Sequence, residues 1–554
     1  MYPISEKMKQ SLVTSHRPMT IVKVRSINGV TTTIPVVSGS VTVDRTSQDF
    51  RRSVSFTTNT EYITNSDGST TQIVPLRDTD PLNIYGNHAY VYRGVLWNTN
   101  GIGKDLTTCE APIPQDILVP ANGAYELVPL GVFRINSVSI SEHQDGQLDL
   151  TVEGTDISSN ISKNHWTSPV TVWKSKYSVP VSQADTTPEQ AYVASTVKEA
   201  IQKLILDRWP SNNGVFGLPV FDFSGVADKP LTTPVVMGSR TISTSGSNSP
   251  WTDITGLSAS LGAELFIDQS GKFTLRAITD PNEMPVSWSI LDGDLTGKSG
   301  GLISITRTVS DAKTVNYVIA TGENTGTSVS TVSSNGAGSG TPLKAVAYDN
   351  DPNSPTYYKG TFGRVVGYEP GRKKLKTQAE VQHAADTYLN WFIGGDETVQ
   401  IESTVNPALD VGDVVKVRRK RVGVYNPEAV VCALNSDMTH GKSLDHFQIT
   451  TLLFDLAQGS QVTLYTDFSS QTLTLSRAHK KGDTTMYVES FSPNSDYRNG
   501  TVLTDPKIPT DGSVNYFIDK LEIPLDVDKP MTITARERRV GTRKDAIRVA
   551  EYSQ

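Results

Sequence analysis

Residues 131–154, GVFRINSVSISEHQDGQLDLTVEG, carry the pattern that decides the fold of this chain. Apolar and polar residues alternate on both sides of Asp145-Gly146, a dipeptide that favours tight hairpin turns. The apolar residues before Asn136-Ser137 occupy the opposite phase of the alternation from those after it, so we expect a β-bulge at this point. The stretch therefore predicts a long antiparallel hairpin with one buried face.

The same alternation continues through the rest of residues 1–165. Val41 and Val43 alternate with polar residues in SVTVDRT, as Val54 and Phe56 do in RSVSFTT. The segment that follows, TTNTEYITNSDGSTT, is polar and rich in turn residues, which predicts a long exposed loop. We therefore expect a β-rich first domain over 1–165.

Residues 166–300 change to a helical pattern and predict a small α+β insert. A capping pattern, TPEQ at 187–190, precedes apolar residues at helical spacing and predicts a first helix. Ser249-Pro250 predicts the start of a second helix, and Gly262 predicts its end. The alternation in 263–277 then predicts a hairpin that packs against this helix.

Strands resume in residues 301–455, which predict a second β-rich domain. The Gly- and Ser-rich stretch 322–341 predicts an exposed loop, and a capping box, TQAE at 377–380, predicts one helix. We expect an exposed turn at Gly412-Asp413 before the next strand. Residues 456–554 predict a C-terminal β extension. The predicted fold class is mainly β, a β-rich α+β chain.

Composition limits the class of function. The 554 residues are 37% hydrophobic and only 20% charged, with a formal charge of -7, which argues against a global electrostatic grip on nucleic acid or an anionic membrane. The two cysteines, Cys109 and Cys432, are too few for a disulfide framework or a four-cysteine zinc site. We find no signal-peptide core and no apolar stretch of membrane-spanning length, and so expect synthesis in a cytoplasm without membrane insertion.

Candidate nucleotide and calcium motifs depart from the patterns that their chemistry needs. Gly297-Lys298-Ser299 lacks an upstream glycine at the spacing of a phosphate-binding loop. Asp349 and Asp351 resemble the first ligands of a calcium loop, together with Asn353. However, Ser354 replaces the required glycine, so we favour an acidic turn.

Two other pairs are weak candidates for metal or hydrolytic sites. His440 and His446 are the nearest histidine pair, and their spacing suits two positions of a hairpin. The carboxylates of Asp292 and Asp294 suit a solvated turn better than a glycosidase pair. We therefore predict no catalytic, cofactor-binding or metal-binding residue and no cofactor.

Several charged or aromatic clusters suit surfaces. The aromatic pair Tyr357 and Tyr358 suits either an interface anchor or a strand pair on a β surface. The basic clusters favour a solvated or partner-facing edge, with contact to passing nucleic acid and salt-bridged subunit contacts as alternatives. These clusters are Lys416, Arg418, Arg419, Lys420 and Arg421, and Arg536, Arg538, Arg539, Arg543 and Lys544.

The order of these parts resembles tailed-phage minor tail proteins of the baseplate or tail-tip hub type. The resemblance lies in MKQSLVTSHRPMTIVKV, GSVTVDRTSQDFRRSVSF, ELVPLGVFRINSVSISEHQDGQLDLTVEGTDISSNISKNHW and SPWTDITGLSASLGAELFIDQSGKFTLRAI. It spans about residues 5 to 455. Each segment alone is an ordinary hairpin, but their joint order is uncommon.

The resemblance implies a virion structural protein and no enzyme. In such a hub, 1–165 and 301–455 would be tube-like β-barrel domains, so that three chains form a ring with six similar units. The ring would cap the tail tube, adapt sixfold to threefold symmetry and keep a lumen through which the genome DNA passes. The implied partners are other copies of the chain, the distal tail or tail-tube protein, the tape-measure protein, and tip or receptor-binding fibre proteins. The implied location is the phage tail tip.

Two other functions compete with this interpretation. The first is a tail-associated glycan hydrolase acting on a cell wall or capsule, which would need a cleft with converging carboxylates. The second is a carbohydrate-binding adhesin, which would need clustered exposed aromatic residues. The seven Trp residues are scattered along the sequence, which argues mildly against the adhesin.

Overall fold

The computed structural model describes residues 1–14, 16–45, 47, 50–64, 70–99, 102, 106, 108–144, 147–166, 170–174, 190–210, 215–231, 235–237, 249–278, 284–291, 301–309, 314–324, 342–352, 354, 356–368, 377–392, 397–418, 430–432, 444–448, 457–465, 470–480, 483, 485–491, 501–504, 513–526 and 529–537.

These residues form a mostly β structure, which confirms the predicted fold class. The six helices within them are α1 (Glu6–Leu12), α2 (Gln115–Leu118), α3 (Ser159–Ser162), α4 (Val197–Arg208), α5 (Pro250–Ala259) and α6 (Gln378–Phe392). The strands are β1 (Arg17–Arg25), β2 (Thr31–Ile34), β3 (Ser38–Asp44), β4 (Arg52–Thr58), β5 (Tyr62–Thr64), β6 (Thr70–Gln72), β7 (His88–Leu96), β8 (Tyr125–Glu142), β9 (Leu148–Asp156), β10 (Val170–Trp173), β11 (Gln190–Val193), β12 (Phe221–Asp222), β13 (Val235–Met237), β14 (Ala263–Ile267), β15 (Phe273–Ala277), β16 (Val286–Leu291), β17 (Leu302–Val309), β18 (Tyr317–Asn324), β19 (Pro342–Tyr348), β20 (Val366–Tyr368), β21 (Glu397–Ser403), β22 (Val414–Arg418), β23 (Val430–Cys432), β24 (Leu444–Gln448), β25 (Gln461–Tyr465), β26 (Ser470–Thr474), β27 (Thr485–Phe491), β28 (Thr501–Thr504), β29 (Ser513–Pro524) and β30 (Met531–Glu537).

A 13-stranded sheet dominates the described structure, and it has two halves that meet at β29. The first half runs in the order β3-β4-β9-β8-β7-β1-β2 and is antiparallel throughout. The second half contains β17, β21, β30, β29, β22 and β16, and only β16 and β22 pair in parallel. One hydrophobic cluster contains buried residues from both halves, including Phe56 and Ile533, so the halves share a core.

Strand β29 joins the halves because different parts of it pair with different neighbours. Its residues 513–517 pair with β22, and its residues 520–524 pair with β3. Strand β30 pairs along the middle of β29 and also with β21. Both β29 and β30 come from the segment 456–554, so this part of the chain lies inside the main sheet rather than at its margin.

The hairpin predicted from 131–154 is formed by β8 and β9. Their register shifts between Ile135 and Ser137, which confirms the predicted bulge. On one side of that shift, β8 pairs with β7 up to Arg134, and beyond the shift β8 pairs with β9 as far as Glu142. The predicted turn at Asp145-Gly146 lies outside the described residues.

In the insert, α4 begins later than predicted. It starts at Val197 because Thr196 is the N-cap, and its Oγ1 accepts a hydrogen bond from the Glu199 backbone N at 3.3 Å. The Glu199 carboxylate accepts the backbone N–H of Ser195 at 2.7 Å, which holds the first turn. Residues 190–193 instead form β11, parallel to β10, so the helix start predicted from 187–190 was wrong.

Helix α5 and the β14–β15 hairpin follow the predictions. Pro250 occupies the first turn, and Gly262, which follows the C-cap Ser260 and Leu261, adopts a φ of 67°. Ile254 and Leu257 are buried in a cluster that also contains Phe273 of β15, so the helix packs on the hairpin as expected.

Helix α6 also has the predicted start. The Thr377 Oγ1 accepts the Glu380 N–H at 3.2 Å, and the Glu380 carboxylate accepts the Thr377 N–H at 3.2 Å, which is a complete capping box. Val381, Ala385 and Leu389 pack on one face of a separate sheet in the order β19-β18-β20.

The segment predicted as a polar loop after β4 contains a short hairpin, β5–β6, with Tyr62 exposed. Within the part of the chain that the structure describes, no helix is long and apolar enough to span a membrane.

Candidate functional site

The most unusual group of side chains is a partly buried cluster of charges, which we call the charged joint. It consists of Arg45, Arg51, Arg52, Glu264, Arg276 and Asp410. The first three arginines flank the turn between β3 and β4, Glu264 and Arg276 lie on the β14–β15 hairpin, and Asp410 precedes β22. The joint therefore connects the first half of the sheet, the insert and the second half.

Arg52 lies at the centre of the joint and is only 1% exposed. Its Nη2 donates to the Asp410 carboxylate at 2.6 Å. Its Nη1 donates to the carbonyl of Leu130 at 3.2 Å, and its Nε donates to that of Ile267 at 3.4 Å. One guanidinium thus bonds to all three parts of the chain.

Glu264 is surrounded by three guanidinium groups. Arg276 contacts its Oε1 at 2.6 Å, while Arg45 and Arg51 contact its Oε2 at 3.1 Å and 3.6 Å. Burial alone would raise the pKa of Glu264, but the three positive charges outweigh that effect and lower this pKa to about 2. Glu264 is therefore ionised at any pH at which the chain is expected to work.

The surplus of positive charge in the joint is held by an aromatic ring and by carbonyl oxygens. Arg51 lies 4.0 Å and Arg276 lies 4.9 Å from the centre of the Phe266 ring. Both guanidinium groups also donate to the carbonyl of Val411, at 3.1 Å and 3.3 Å. Burial is the main reason that the pKa of Arg51 falls to about 10. Arg51 therefore remains charged near neutral pH.

Another carboxylate, that of the buried Asp156, fixes the backbone that carries Arg51 and Arg52. The Asp156 Oδ2 accepts the backbone N–H groups of Arg51 and Arg52 at 2.8 Å and 2.9 Å. Its Oδ1 accepts the backbone N–H of Ser158 at 3.0 Å and also the Ser158 hydroxyl. Asp156 thereby ties the end of β9 to the start of β4.

The turn at Gly412-Asp413 is present, but the expectation that it is exposed was wrong. Asp413 is 6% exposed, and its Oδ2 accepts the Asp410 N–H at 2.8 Å. Strand β29 covers the turn: the Gly412 N–H bonds to the Ile518 carbonyl, and the Ile518 N–H bonds to the Asp413 carbonyl. Gly412 has a φ of 88°, a left-handed conformation that glycine adopts without strain.

The two basic clusters are only partly described. Lys416 is half-buried on β22, and Arg418 ends that strand. Arg536 on β30 pairs with Asp519 on β29, with Nη2 and Oδ1 2.8 Å apart. This ion pair therefore compensates part of its charge within the sheet. The remaining members, Arg419, Lys420, Arg421, Arg538, Arg539, Arg543 and Lys544, lie outside the described residues.

The structure describes only some of the weak metal and nucleotide candidates. Asp349 is buried and accepts hydrogen bonds from the hydroxyls of Ser354 and Thr356, the latter at 2.7 Å. Within the described ranges, no group of three or more His, Cys, Asp or Glu residues is placed to hold a metal ion. Outside those ranges lie Asp292, Asp294, Gly297, Lys298, Ser299, Asn353 and His440.

Tyr357 and Tyr358 belong to a larger aromatic group. Their ring centres are 5.5 Å apart, and the Tyr358 ring also lies 4.8 Å from Tyr348 and 6.1 Å from Tyr317. The sequence pattern singled out the two adjacent tyrosines. It did not indicate Tyr317 and Tyr348, which lie next to those two tyrosines because β18 pairs with β19.

No protein-family model and no curated protein matches this chain. The chain is similar in structure to the tail protein from Neisseria meningitidis MC58, at 11% identity, with 94% of this chain and 96% of that chain covered and a TM-score of 0.44. It is also similar to the 43 kDa tail protein of prophage MuSo2 from Shewanella oneidensis, at 10% identity, 93% and 98% coverage and a TM-score of 0.44. A third similar structure is the prophage tail protein gp18 from Listeria monocytogenes EGD-e, at 8% identity, 96% and 99% coverage and a TM-score of 0.37.

Proposed function

We propose that this chain is a structural, non-enzymatic protein of a phage-type tail, and that it forms a hub ring at the distal end of the tail tube. The observation that carries the proposal is the two-part sheet in which β29 joins two β-rich halves. Two β-rich units in one chain would suit a threefold ring that meets a sixfold tube, because three chains then offer six units. The order of sequence segments shared with hub proteins supports the same interpretation.

The edges of the main sheet suit assembly with other chains. Along the described pairing path, β2 and β17 are the end strands, and each has one partner. An open strand edge favours pairing with another chain, and an isolated monomer usually shields it. Ile303 on β17 is 57% exposed, which adds an apolar side chain to that edge. We propose that these edges face neighbouring copies in the ring.

The domain division follows from the same proposal. We assign 1–165 to the first unit, 166–300 to the insert and 301–455 to the second unit. We further propose that residues 513–537 of the C-terminal segment complete the second unit, because β29 and β30 lie between β21 and β3 in the sheet. The rest of 456–554 would then be available to tip or fibre proteins.

In this proposal, the charged joint holds the insert and the two halves of the sheet in a fixed arrangement. Ion pairs and carbonyl contacts bind the β14–β15 hairpin to both halves of the sheet. A ring that transmits a change after host contact needs its parts held in a fixed relation. The partners proposed for the ring are the distal tail or tail-tube protein, the tape-measure protein and receptor-binding fibres, with genome DNA passing through the lumen.

The test is the copy number and position of the chain in purified particles. Quantitative mass spectrometry with labelled reference peptides is expected to give three copies per particle, and cryo-electron microscopy with threefold averaging is expected to place them at the distal tail tip. Recombinant protein incubated with purified peptidoglycan serves as the control for hydrolase activity. Absence of the chain from particles, six copies per ring, or turnover of peptidoglycan would contradict the proposal.

A further inference from the structure

Among the described residues, one face of the sheet formed by β18, β19 and β20 packs against α6. Val318, Ala320, Ala345 and Ala347 point towards α6 and are buried. Strand alternation turns their neighbours to the opposite face. We call this opposite face the tyrosine face, and its strand residues are Tyr317, Ile319, Val346, Tyr348, Val366 and Tyr368.

A buried polar network fixes the loop that borders the tyrosine face. Asn316 is 0% exposed, and its Nδ2 donates to the carbonyls of Thr356 and Gly363 at 2.8 Å and 2.6 Å. Its Oδ1 accepts the Val365 N–H at 2.8 Å. Asp349 holds Thr356 from the other side. Such a network gives the loop one defined geometry. A buried polar network is costly unless all its groups form hydrogen bonds.

The fixed loop places two cations against an aromatic stack. The rings of Tyr317 and Tyr348 are nearly parallel, at 14°, with centres 5.6 Å apart. The Arg364 guanidinium lies 5.2 Å from the centre of the Tyr317 ring, and the Lys359 amine lies 5.2 Å from that of Tyr358. The ring faces are thus largely covered by contacts with one another and with the cations. This leaves less ring surface for stacking on nucleic-acid bases or sugars.

The tyrosine face is apolar and partly exposed, and its rim is basic. Tyr348 is 42% exposed and Tyr368 is 69% exposed. Lys344, Lys359 and Arg364 are exposed cations around them. The loop carboxylates do not balance this charge at the surface, because Asp349 is buried and Asp351 is half-buried and already engaged within the chain.

We propose that the tyrosine face docks an acidic segment of a different protein in the same particle. Tyr and Arg are among the residue types enriched at the energetic centres of protein interfaces, and the basic rim selects a partner with carboxylates around an apolar centre. The inference rests on the proposed tail function, since it requires that the chain reside in a particle. A nucleic acid, a glycan or a second copy of this chain would be a different occupant.

The test compares the isolated full-length chain with purified particles. The amines are acetylated with an N-hydroxysuccinimide ester for a series of times, and mass spectrometry follows Lys359 with Lys529 as the exposed reference. We expect Lys359 to react at least fivefold more slowly in the particle, after normalisation to Lys529. Carbodiimide treatment of the particle is then expected to join Lys359 or Lys344 directly to an Asp or Glu of another protein.

A pair of matched variants tests the contribution to assembly. Lys359→Ala with Arg364→Ala removes two charges from the rim, and Lys272→Ala with Lys529→Ala removes two exposed charges elsewhere. We expect the first pair to reduce incorporation of the partner into particles at least threefold and the second pair to leave it unchanged. Equal effects of both pairs would overturn the inference.

The remaining outcomes separate the two proposals. A chain that is absent from particles overturns the proposed function and this inference together. A chain that is present, with Lys359 as reactive as in the isolated protein, overturns the docking inference alone. Protection of Lys359 without a carboxylate cross-link assigns the face to a nucleic acid or glycan, and a cross-link to another copy of this chain assigns it to self-association. Both results also overturn the inference.

Discussion

Replacing Arg52 by methionine is expected to destabilise the protein strongly. The substitution keeps most of the buried stem but removes the group that bonds to Asp410 and to the carbonyls of Leu130 and Ile267. Breaking one partner of a buried ion pair typically costs about 3–5 kcal/mol, because the other charge remains buried. At roughly 2 °C per kcal/mol for a large domain, the thermal midpoint should fall by roughly 6–10 °C.

Differential scanning calorimetry at neutral pH measures this change. Arg17→Met is the matched control, because Arg17 lies exposed at the start of β1. The double variant Arg52→Met with Asp410→Asn should recover at least about 1 kcal/mol relative to Arg52→Met, since a neutral amide leaves no uncompensated charge. If Arg52→Met lies within about 1 °C of the control, or if the two substitutions are simply additive, the charged joint does not hold the parts together as we infer.

Three further predictions follow from other parts of the structure. Glu264 has a folded-state pKa of about 2 against an ordinary 4.5, so its ionised form contributes about 3 kcal/mol to the free energy of unfolding above pH 4.5. This contribution is lost as the pH falls towards 2. Urea unfolding midpoints should show the loss in the native chain and not in Glu264→Gln. Thr196→Ala removes the N-cap of α4 and should lower the free energy of unfolding by about 1 kcal/mol, whereas Thr196→Ser should be nearly neutral in the same denaturant titration. Gly94→Ala should prevent correct pairing of β7 with β8, because the new Cβ would lie 1.8 Å from the Glu126 carbonyl oxygen. Gly256→Ala, by contrast, meets open space within α5 and should stabilise the protein by about 0.5–1 kcal/mol. Soluble yield and thermal midpoint measure both effects.

Local signals in the sequence were sufficient for several elements. The phase change at Asn136-Ser137 gave the bulge in β8, and the TQAE pattern gave the start of α6, because both features depend on neighbours within a few residues. The start of α4 was predicted too early, although Thr196 and Glu199 carry the same capping signal. The earlier pattern at 187–190 competed with it, and pairing of β11 with β10 decided the outcome.

Long-range contacts were not predictable from local patterns. The turn at Gly412-Asp413 has the residues of an exposed turn, and it is buried because β29, more than 100 residues later, bonds to it. The charged joint was missed for the same reason. Adjacent Arg51 and Arg52 at the start of a strand were its only local signal, and nothing near them in the sequence indicates Glu264 or Asp410.

The charged joint also raises the question of why a chain would keep charged groups whose desolvation is costly. A hydrophobic cluster of equal volume often stabilises a fold as well as a buried ion pair does, but it tolerates several packing arrangements. Arg52 fits one arrangement only, since its three nitrogen atoms must reach Asp410, Leu130 and Ile267 together. If the chain forms a ring, an error in the angle between its halves would be repeated in every copy and the ring would not close. On this reasoning, the joint would fix the geometry of such a ring as well as contribute to the stability of the single chain.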